Sequence, residues 1–250
     1  MEVITKAKQK FKDILNNNNL FNKDITIRAR GLSSKEAIGN PERNDFPLMV
    51  GKEVMIQAEF REDFGQAFTD HPSDFTGDLQ EIMELSLDNN HHRALFIATV
   101  NAVLRSLKLT RKTIHCKDEE PSECAAEMLE WLQENCAKTE KIGIIGYHPA
   151  IVKESSLVVG PENIRVSDLN QERIGENKFG IEIWNGNERN EELIKETDLI
   201  LATGSSVVND TIDDLLYLFD RYTKDYYFFG NTIAGVATLL DLPRLCFCGR

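Results

Sequence analysis

The stretch that decides the fold class is Ile142-Gly143-Ile144-Ile145-Gly146-Tyr147-His148-Pro149, an apolar run that meets a small-residue turn and a helix start. The pattern returns at Leu199-Ile200-Leu201-Ala202-Thr203-Gly204-Ser205-Ser206 and at Tyr227-Phe228-Phe229-Gly230-Asn231-Thr232. Short apolar runs separated by amphipathic stretches are typical of parallel strands that are covered on both faces. Because the carboxyl ends of parallel strands share one edge of a sheet, we expect the three turns to converge on one crevice.

The second part of the chain alternates between strand and helix patterns. Strands are predicted at 141–146, 164–168, 198–203, 226–229 and 244–248, with a further candidate at 178–184. Helices are predicted near 149–156, 190–196, 207–219 and 232–240. This order predicts an α/β, Rossmann-like domain with a mostly parallel sheet over residues 140–250.

The first part places its strands before most of its helices. The pattern predicts a helix over 1–17, a strand over 24–30, an antiparallel pair at 52–60 and 64–69, helix from 78 to 107, and a helix over 122–136. This order is typical of an α+β domain. We therefore expect two domains, residues 1–139 and 140–250, with a boundary near Thr139.

Composition excludes several classes of function. The chain has 250 residues and a net charge of −12, and its basic residues form no run, so a nucleic-acid partner is not expected. No apolar run approaches the ~20 residues that span a bilayer, and residues 1–6 lack the order of a signal peptide. A cytoplasmic location is expected, in which the five cysteines are free thiols or metal ligands.

The first turn offers an anion site and a candidate acid or base. Pro149 fits the first position of a helix, whose exposed amides and dipole favour an anion. The glycines around Gly146 do not complete a dinucleotide fingerprint, which requires a third glycine. Asp168 ends the next strand, where it either binds a ribose hydroxyl or caps a loop. His148 is the one candidate catalytic residue, since its reference pKa of about 6.5 suits proton transfer.

The other two turns carry neutral hydrogen-bonding groups. Gly204 permits a tight turn, and either Ser205 or Ser206 can cap the next helix. A set of polar residues larger than capping requires favours contact with a ligand, although ordinary capping stays open. The candidate ligand-binding residues of the crevice are Gly146, His148, Pro149, Asp168, Thr203, Gly204, Ser205, Asn209, Thr211, Gly230 and Asn231.

Thiols and imidazoles form a second group of candidates. His115, Cys116 and Cys124 are suited to a transition metal by ligand type, although their spacing matches no standard zinc pair. The alternative is that Cys124 is a small apolar residue of a helix. Cys246 and Cys248 would lie on one face of the last predicted strand, where they either share a metal or are simply buried.

At these same residues the chain resembles the putative heavy-metal chelation domain family, long catalogued as a domain of unknown function. The resemblance rests on Ile145-Gly146-Tyr147-His148-Pro149, on Thr203-Gly204-Ser205 with Asn209-Asp210-Thr211, and on Gly230-Asn231-Thr232. It covers about residues 140–250. The preceding part, with Gly65-Gln66-Ala67-Phe68-Thr69, Asn101-Ala102 and His115-Cys116-Lys117-Asp118, resembles the companion domain that is similar to the N-terminal domain of enolases.

The resemblance implies a Rossmann-like domain capped by the α+β domain, with a site in the cleft between them. Its motif positions correspond to Gly146, His148, Pro149, Thr203, Gly204, Asn209, Thr211 and Gly230. Many members have Pro where this chain has Asn231, which puts phosphate-like binding at that turn in question.

These observations lead to three hypotheses. The first is a protein that binds a small ligand or a transition metal in the cleft. The alternative is an enzyme that acts on a nucleotide-like or other anionic molecule, with S-adenosylmethionine or a pterin as cofactor. The third is a regulatory or scaffold module, and self-association is left open. We further expect at least one of four side chains of the first domain to reach the crevice, namely Gln66, Thr69, His115 and Cys116.

Overall fold

A computed structural model describes residues 2–21, 27–43, 45–50, 54–72, 74–136 and 139–250. The first part of the chain contains six helices and four strands among these residues. The helices are α1 (Glu2–Asn17), α2 (Ser34–Ile38), α3 (Pro47–Val50), α4 (Leu79–Glu84), α5 (Asn90–Ser106) and α6 (Glu120–Asn135). The strands are β1 (Ile27–Leu32), β2 (Val54–Phe60), β3 (Asp63–Thr69) and β4 (Phe75–Gly77).

These four strands form one antiparallel sheet in the order β3-β2-β1-β4, as the α+β prediction requires. Helix α5 lies across the sheet, and its residues from Arg93 to Leu104 are all buried because both of its faces are covered. Gly65 allows this close packing: a Cβ atom there would lie 2.2 Å from the backbone nitrogen of Ala102. The helix is thereby fixed against the sheet that forms one side of the molecule.

The second part of the chain contains seven strands and four helices. The strands are β5 (Ile142–Ile145), β6 (Ile164–Asp168), β7 (Asn177–Lys178), β8 (Ile181–Asn185), β9 (Leu199–Thr203), β10 (Asp225–Phe229) and β11 (Arg244–Leu245). The helices are α7 (Pro149–Val159), α8 (Gly186–Glu196), α9 (Ile212–Arg221) and α10 (Ala234–Leu240). The sheet order is β11-β10-β9-β5-β6-β8-β7, and β7 alone pairs antiparallel, so the mostly parallel sheet is confirmed.

The strand order places a switch point beside β5. The chain passes from β5 to β6 on one side and later returns to β9 on the other side. Ile145 is in register with Ser167 of β6 and Ala202 of β9, and Phe229 of β10 is in register with Thr203. The three turns that follow β5, β9 and β10 therefore lie at one edge of the sheet, as the sequence predicts.

The two halves share their hydrophobic core. One cluster joins apolar side chains of α1 and α5 to those of β9, β10 and α10. Helix α6 precedes the predicted boundary yet packs on α7, within the cluster that also contains β5. The division at residue 139 stays a prediction, because the packing of α1, α5 and α6 makes both sheets depend on the same helices.

Several predicted elements differ from the structure. The helical stretch over 78–107 is two helices, because Asp78 caps α4 in a capping box with Glu81 and Asn89 caps α5. The last strand is limited to Arg244–Leu245, so Cys246 and Cys248 lie beyond it. The candidate strand over 178–184 is a hairpin of β7 and β8. The helix predicted at 207–219 begins at Ile212.

A few predicted positions fall outside the described residues, namely residue 1 of the first helix, residues 24–26 of the first strand and residues 52–53 of the second. The strands themselves are observed from Ile27 and Val54 onward. Among the helices that the structure describes, none has the length and apolar character needed to cross a membrane.

Candidate functional site

A cavity of about 530 Å³ lies where the strand-end turns face the first half of the chain. Thr69, His115 and Cys116 line it from the first half. Gln66 reaches the third turn, because its Oε1 atom accepts a hydrogen bond from Asn231 Nδ2 at 3.4 Å. The expectation that at least one of these four side chains reaches the crevice is confirmed by these contacts. The candidates that line the cavity are Gly146, His148, Asp168, Thr203, Ser205, Asn209, Thr211, Gly230, Asn231, His115, Cys116 and Cys124.

Gly146 brings the first two turns together. Its φ angle is +89°, in the region that favours glycine. A Cβ atom at this position would lie 2.6 Å from Thr203 Cγ2. Any other residue would therefore push apart the turns that follow β5 and β9. Pro149 and Gly204 are not in the cavity wall, and both act through the backbone of the turns they occupy.

Asp168 organises the first turn from the neighbouring strand. Its carboxylate accepts hydrogen bonds from the backbone nitrogens of Tyr147 and Asn170, each at 2.7 Å. Each of its oxygens thus already holds a loop amide, which agrees with the capping interpretation. Binding of a ribose hydroxyl by Asp168 stays a prediction.

His148 is the N-cap of α7, and its Nδ1 atom accepts from the backbone nitrogen of Ile151 at 3.4 Å. Its ring lies edge-on between Phe46 and Phe229, with centroid distances of 5.7 and 5.9 Å. Burial, together with the nearby His115, lowers the pKa of His148 to about 4. The ring is therefore neutral at pH 7, with its proton on Nε2, the nitrogen that makes no cap.

Most polar side chains of the second turn form their hydrogen bonds within the turn itself. Thr203 Oγ1 accepts from the backbone nitrogen of Ser205 at 3.3 Å. Asn209 Oδ1 accepts from both the backbone nitrogen and Oγ1 of Thr211, at 3.2 and 2.7 Å. Residues Gly204–Val207 form a 3₁₀ turn and not the start of an α-helix. Capping and turn formation therefore occupy several of the groups that were candidates for ligand contact.

The third turn is tied to the first half of the chain. Gly230 has a φ angle of +93°, and nothing within 4 Å would meet a Cβ atom there, so backbone conformation explains the glycine. The Nδ2 atom of Asn231 also donates to the carbonyl of Thr113 at 3.3 Å. Its Oδ1 atom has no hydrogen-bond partner among the described residues, although the residue is 2% exposed. This acceptor is available to a ligand.

Asn101 is a residue that the motif analysis gave no role. It is fully buried in α5, and its Nδ2 atom donates to the carbonyls of Gln66 and Thr232, both at 2.9 Å. Its Oδ1 atom accepts from the backbone nitrogen of Gly235 at 2.7 Å. One amide thus joins β3, α5 and the third turn. An asparagine inside an apolar helix was the available sequence signal, because a buried amide requires partners.

Three further groups line the cavity wall: Ser206 belongs to the polar cluster of the second turn, whereas Tyr147 and Arg173 received no binding role from the sequence. Tyr147 OH and Ser206 Oγ are buried without a hydrogen-bond partner among the described residues. Burial raises the pKa of Tyr147 to about 12, so the hydroxyl stays protonated. The guanidinium of Arg173 lies 5.1 Å from the centre of the Tyr147 ring and is 9% exposed. The Arg173 cation and the two unpaired hydroxyls of Tyr147 and Ser206 therefore line the same cavity. We call this side, with the three turns, the polar wall.

The other side of the cavity, which we call the thiol wall, carries Cys116, Cys124 and Cys246. Cys124 lies in the first turns of α6, and its Sγ atom accepts from the backbone nitrogen of Phe247 at 3.3 Å. The thiols of Cys116, Cys246 and Cys248 each form a hydrogen bond with Cys124. Three cysteines thus surround the sulfur of a fourth, and all four are free thiols.

Hydrogen bonding decides which sulfur carries charge most readily. Hydrogen bonds from Cys116 and Cys246 lower the pKa of Cys124 well below its usual range. The same bonds, reinforced by burial, raise the pKa values of Cys116 and Cys246. Burial raises the pKa of Cys248 to about 12. Cys124 is therefore the thiol of the group that ionises most readily, and its neighbours are the donors that stabilise its charged form.

His115 has a defined tautomer beside this group. Its Nδ1 atom lies 2.5 Å from the carbonyl oxygen of Cys116, and a carbonyl only accepts, so Nδ1 carries the proton. The lone pair is then on Nε2. Burial lowers the pKa of His115, which keeps the ring neutral. A neutral imidazole whose second nitrogen bonds a carbonyl is the form in which histidine binds metals.

The donor types fit a soft or borderline ion, since thiolate and neutral imidazole are the ligands of Zn²⁺, Cd²⁺ and Cu⁺. In the part of the chain that the structure describes, no three His, Cys, Asp or Glu side chains are already arranged to hold a metal ion. Binding at the thiol wall therefore requires the thiol side chains to rotate from their mutual hydrogen bonds toward a common point.

Comparison with known proteins gives a fold for the chain and a family match for part of it. No curated protein matches the chain in sequence. A solved structure of a DUF364-family protein of unknown function from Pyrococcus horikoshii matches with a TM-score of 0.54 and 18% identity, over 92% of this chain and 79% of that chain. A DUF364-family protein from Desulfitobacterium hafniense DCB-2 matches with a TM-score of 0.45 and 14% identity, over 73% and 70%.

The Pyrococcus structure indicates a shared fold and nothing more at this level of identity. The similarity of the first part of the chain to the N-terminal domain of enolases stays a prediction. The resemblance inferred from the three turns is confirmed over their span: residues 130–232 match the model of the DUF364 family, which is described as "Putative heavy-metal chelation".

Proposed function

We propose that this chain binds a soft transition-metal ion at the thiol wall, with Cys116 and Cys124 as ligands and His115 as the nearest imidazole. One observation carries the proposal: thiols from distant parts of the sequence meet around Cys124 at a cavity, beside an imidazole whose Nε2 lone pair is free of the ring proton. The family that residues 130–232 match is described as "Putative heavy-metal chelation", and these three donors lie outside the matched range, in the part of the chain that precedes it.

The chemistry of the donors supports an ion that accepts sulfur. The three donors named, Cys116, Cys124 and His115, include no carboxylate, whereas a magnesium site is built mainly from carboxylate and other oxygen ligands. A thiol with a lowered pKa loses its proton to a metal more readily than an ordinary thiol, and each further thiol releases one proton when it binds. The ion itself would contribute Lewis acidity, and the apolar walls around His148 would limit the access of water to it.

Metal analysis of the full chain tests this proposal. Protein purified without oxygen or chelator is expected to contain, or to take up on titration with Zn²⁺ or Cd²⁺, about one ion per chain. Cys124→Ser is expected to weaken binding by at least about 100-fold, since even groups outside the ligand set change affinity by about 10- to 100-fold. Circular dichroism of the variant checks that it folds.

Cys136→Ser is the matched control. Cys136 lies at the other end of α6, 12 residues and therefore about 18 Å along the helix from Cys124. Its variant should bind metal like the unchanged protein. Absence of metal in the purified protein together with no uptake on titration would contradict the proposal.

A second candidate is an enzyme or binding protein for an anionic small molecule, held at the polar wall. The specific observation is the nearly buried guanidinium of Arg173, which lies 5.1 Å from the centre of the Tyr147 ring. Asn231 Oδ1 and Ser206 Oγ would give such a ligand further hydrogen bonds. His148 is poised as a neutral acid or base beside them.

Thermal-shift screening addresses this candidate. S-adenosylmethionine, a pterin and nucleoside phosphates are the probes, and a ligand at 100 times its Kd would stabilise the fold by about 2.7 kcal/mol. Arg173→Gln should abolish the shift, whereas Arg111→Gln, at an exposed position, should not. An unchanged thermal shift in Arg173→Gln would show that the guanidinium does not contribute to binding of the ligand.

A further inference from the structure

The segment that carries Cys246 and Cys248 is tied firmly to the segment that carries Cys116. Ile114 and Arg250 exchange two backbone hydrogen bonds, at 2.9 and 3.0 Å. Lys112 Nζ donates to the carbonyl of Cys246 at 2.6 Å. These contacts hold residues 246–250 along residues 112–116, so the approach of their sulfur atoms is set by backbone pairing and not by chance side-chain contact.

The turn formed by this segment closes around sulfur. A Cβ atom at Gly249 would lie 2.7 Å from the Cys246 Sγ atom and 3.0 Å from Lys112 Cβ. The glycine therefore gives the room that the thiol occupies. The backbone nitrogen of Phe247 points at Cys124 Sγ, at 3.3 Å. A backbone N–H that donates to a thiolate is the kind of supporting contact that orients metal ligands.

Cys248 completes the group from the rim. Its thiol forms a hydrogen bond with Cys124 and also lies 3.8 Å from Glu127 Oε1. The fifth cysteine, Cys136, has no place in this arrangement and is half-buried near Tyr227. Cys116, Cys124, Cys246 and Cys248 therefore form one group, and Cys136 lies apart from it.

We propose that Cys246 and Cys248 supply two further sulfur ligands, so that the metal site is a set of four cysteines with Cys116 and Cys124. This inference rests on the proposed function and assigns its ligands. Four sulfurs favour tetrahedral Zn²⁺ or Cd²⁺. His115 then stands beside the set, where its Nδ1–H group fixes the carbonyl of Cys116.

Binding by this set exchanges protons for the ion. Each thiol that becomes a ligand releases one proton to solvent, and its sulfur turns away from the hydrogen bond that it now makes with Cys124. Cys248 would leave Glu127 for the same reason. No group is oxidised or reduced in this exchange, and no co-reactant is needed.

Titration with Cd²⁺ under reducing, oxygen-free conditions tests the inference on the full chain. The ultraviolet absorption of the cadmium–thiolate bonds grows with the number of sulfur ligands. We expect the double variant Cys246→Ser/Cys248→Ser to lose about half of this absorption and at least about 100-fold in affinity. Cys136→Ser should keep both.

The outcomes separate the inference from the function on which it rests. Unchanged absorption and affinity in the double variant, with binding intact in the unchanged protein, would overturn the four-sulfur set and leave the proposed function standing. No cadmium–thiolate absorption in the unchanged protein would defeat both.

A measurement on the unchanged protein covers the case in which the double variant fails to fold. X-ray absorption at the cadmium edge counts the neighbours of the ion directly. Four sulfur neighbours are expected. Two sulfurs accompanied by nitrogen or oxygen would overturn the inference, because Cys246 and Cys248 would then lie outside the ligand set.

Discussion

The two walls of the cavity differ in how fully their polar groups satisfy each other. On the polar wall, Asp168 holds two backbone amides, and Asn209 holds both donors of Thr211. On the thiol wall, Cys116 and Cys246 bond chiefly to Cys124, through weak S–H donors. Most polar groups of the polar wall therefore stabilise the local structure, whereas the sulfur atoms of the thiol wall remain available to bind a metal ion.

This difference shows why residue type alone is a poor guide to ligand contact. The turns looked like a binding site because they concentrate Thr, Ser, Asn and Asp. Those residues also form turns and caps by bonding their own backbone, and here several of them do so. The cysteines gave the weaker sequence signal for a binding site. Their thiols, however, are not occupied by hydrogen bonds to their own backbone, as the side chains of the turns are.

The largest expected effect lies where the polar wall is joined to the first half of the chain. Asn101→Ala leaves the amide of Gly235 and the carbonyls of Gln66 and Thr232 buried and unpaired. At about 1–3 kcal/mol for each lost partner, we expect a loss of about 3 kcal/mol or more. Urea unfolding measures it. Asn135→Ala, which removes one exposed local bond, is the control, and an equal small loss in both would break the comparison.

His148 gives the next largest effect, as a dependence on pH. Its pKa in the folded protein is about 4, below the value of about 6.5 in an unfolded chain. The unfolded state thus binds more protons between these values, so stability falls as pH falls from 6.5 to 4, and this group adds no further loss below 4. With allowance for the partial exposure of the ring, the loss is about 2 kcal/mol.

Comparison of unfolding free energies at pH 7 and pH 4.5 tests this dependence. The variant His148→Gln removes the titrating ring and should flatten the profile in that interval. His91→Gln alters a histidine outside the cavity wall and should leave the profile unchanged. An unaltered profile in His148→Gln would show that other groups cause the acid sensitivity.

Asp168 distinguishes a structural role from ligand contact on the polar wall. Asp168→Ala frees the amides of Tyr147 and Asn170, and we expect a loss of about 1–2 kcal/mol because the site is only partly buried. Asp220→Ala, at an exposed position of α9, should change little. A variant that loses stability yet keeps the full thermal response to a nucleotide would exclude the ribose role.

The smallest effect on stability is expected at the thiol wall. Without metal, Cys124→Ser should change the free energy of unfolding by less than about 1 kcal/mol, because the hydroxyl still accepts from Phe247. The same variant should lose the stabilisation that added Cd²⁺ gives to the unchanged protein. A large loss of stability without metal would mean that the thiol wall is as structural as the polar wall.

The fold followed from the sequence where the signal is local. The strand over 164–168 has the predicted bounds, and the runs before Gly146 and Gly230 are strands: Ile142–Ile145 are all buried, as are Phe228 and Phe229. The break inside 78–107 was also visible in principle, since Asp78 and Asn89 are caps. The 3₁₀ turn at Gly204 had no such local signal: Gly204 packs closely on Ile233, whose Cγ2 atom would lie 2.7 Å from a Cβ atom there.

The sequence by itself determined the parallel sheet and the meeting of its turns at one edge, because hydrophobic period and strand direction are properties of neighbouring residues. Only the tertiary structure decided which groups from distant parts of the sequence meet at the cavity and beside it. Cys124 and Phe247 are 123 positions apart, and Asn231 and Gln66 are 165 positions apart. No local propensity links such pairs; the packing of α5 and α6 against the second sheet brings them together.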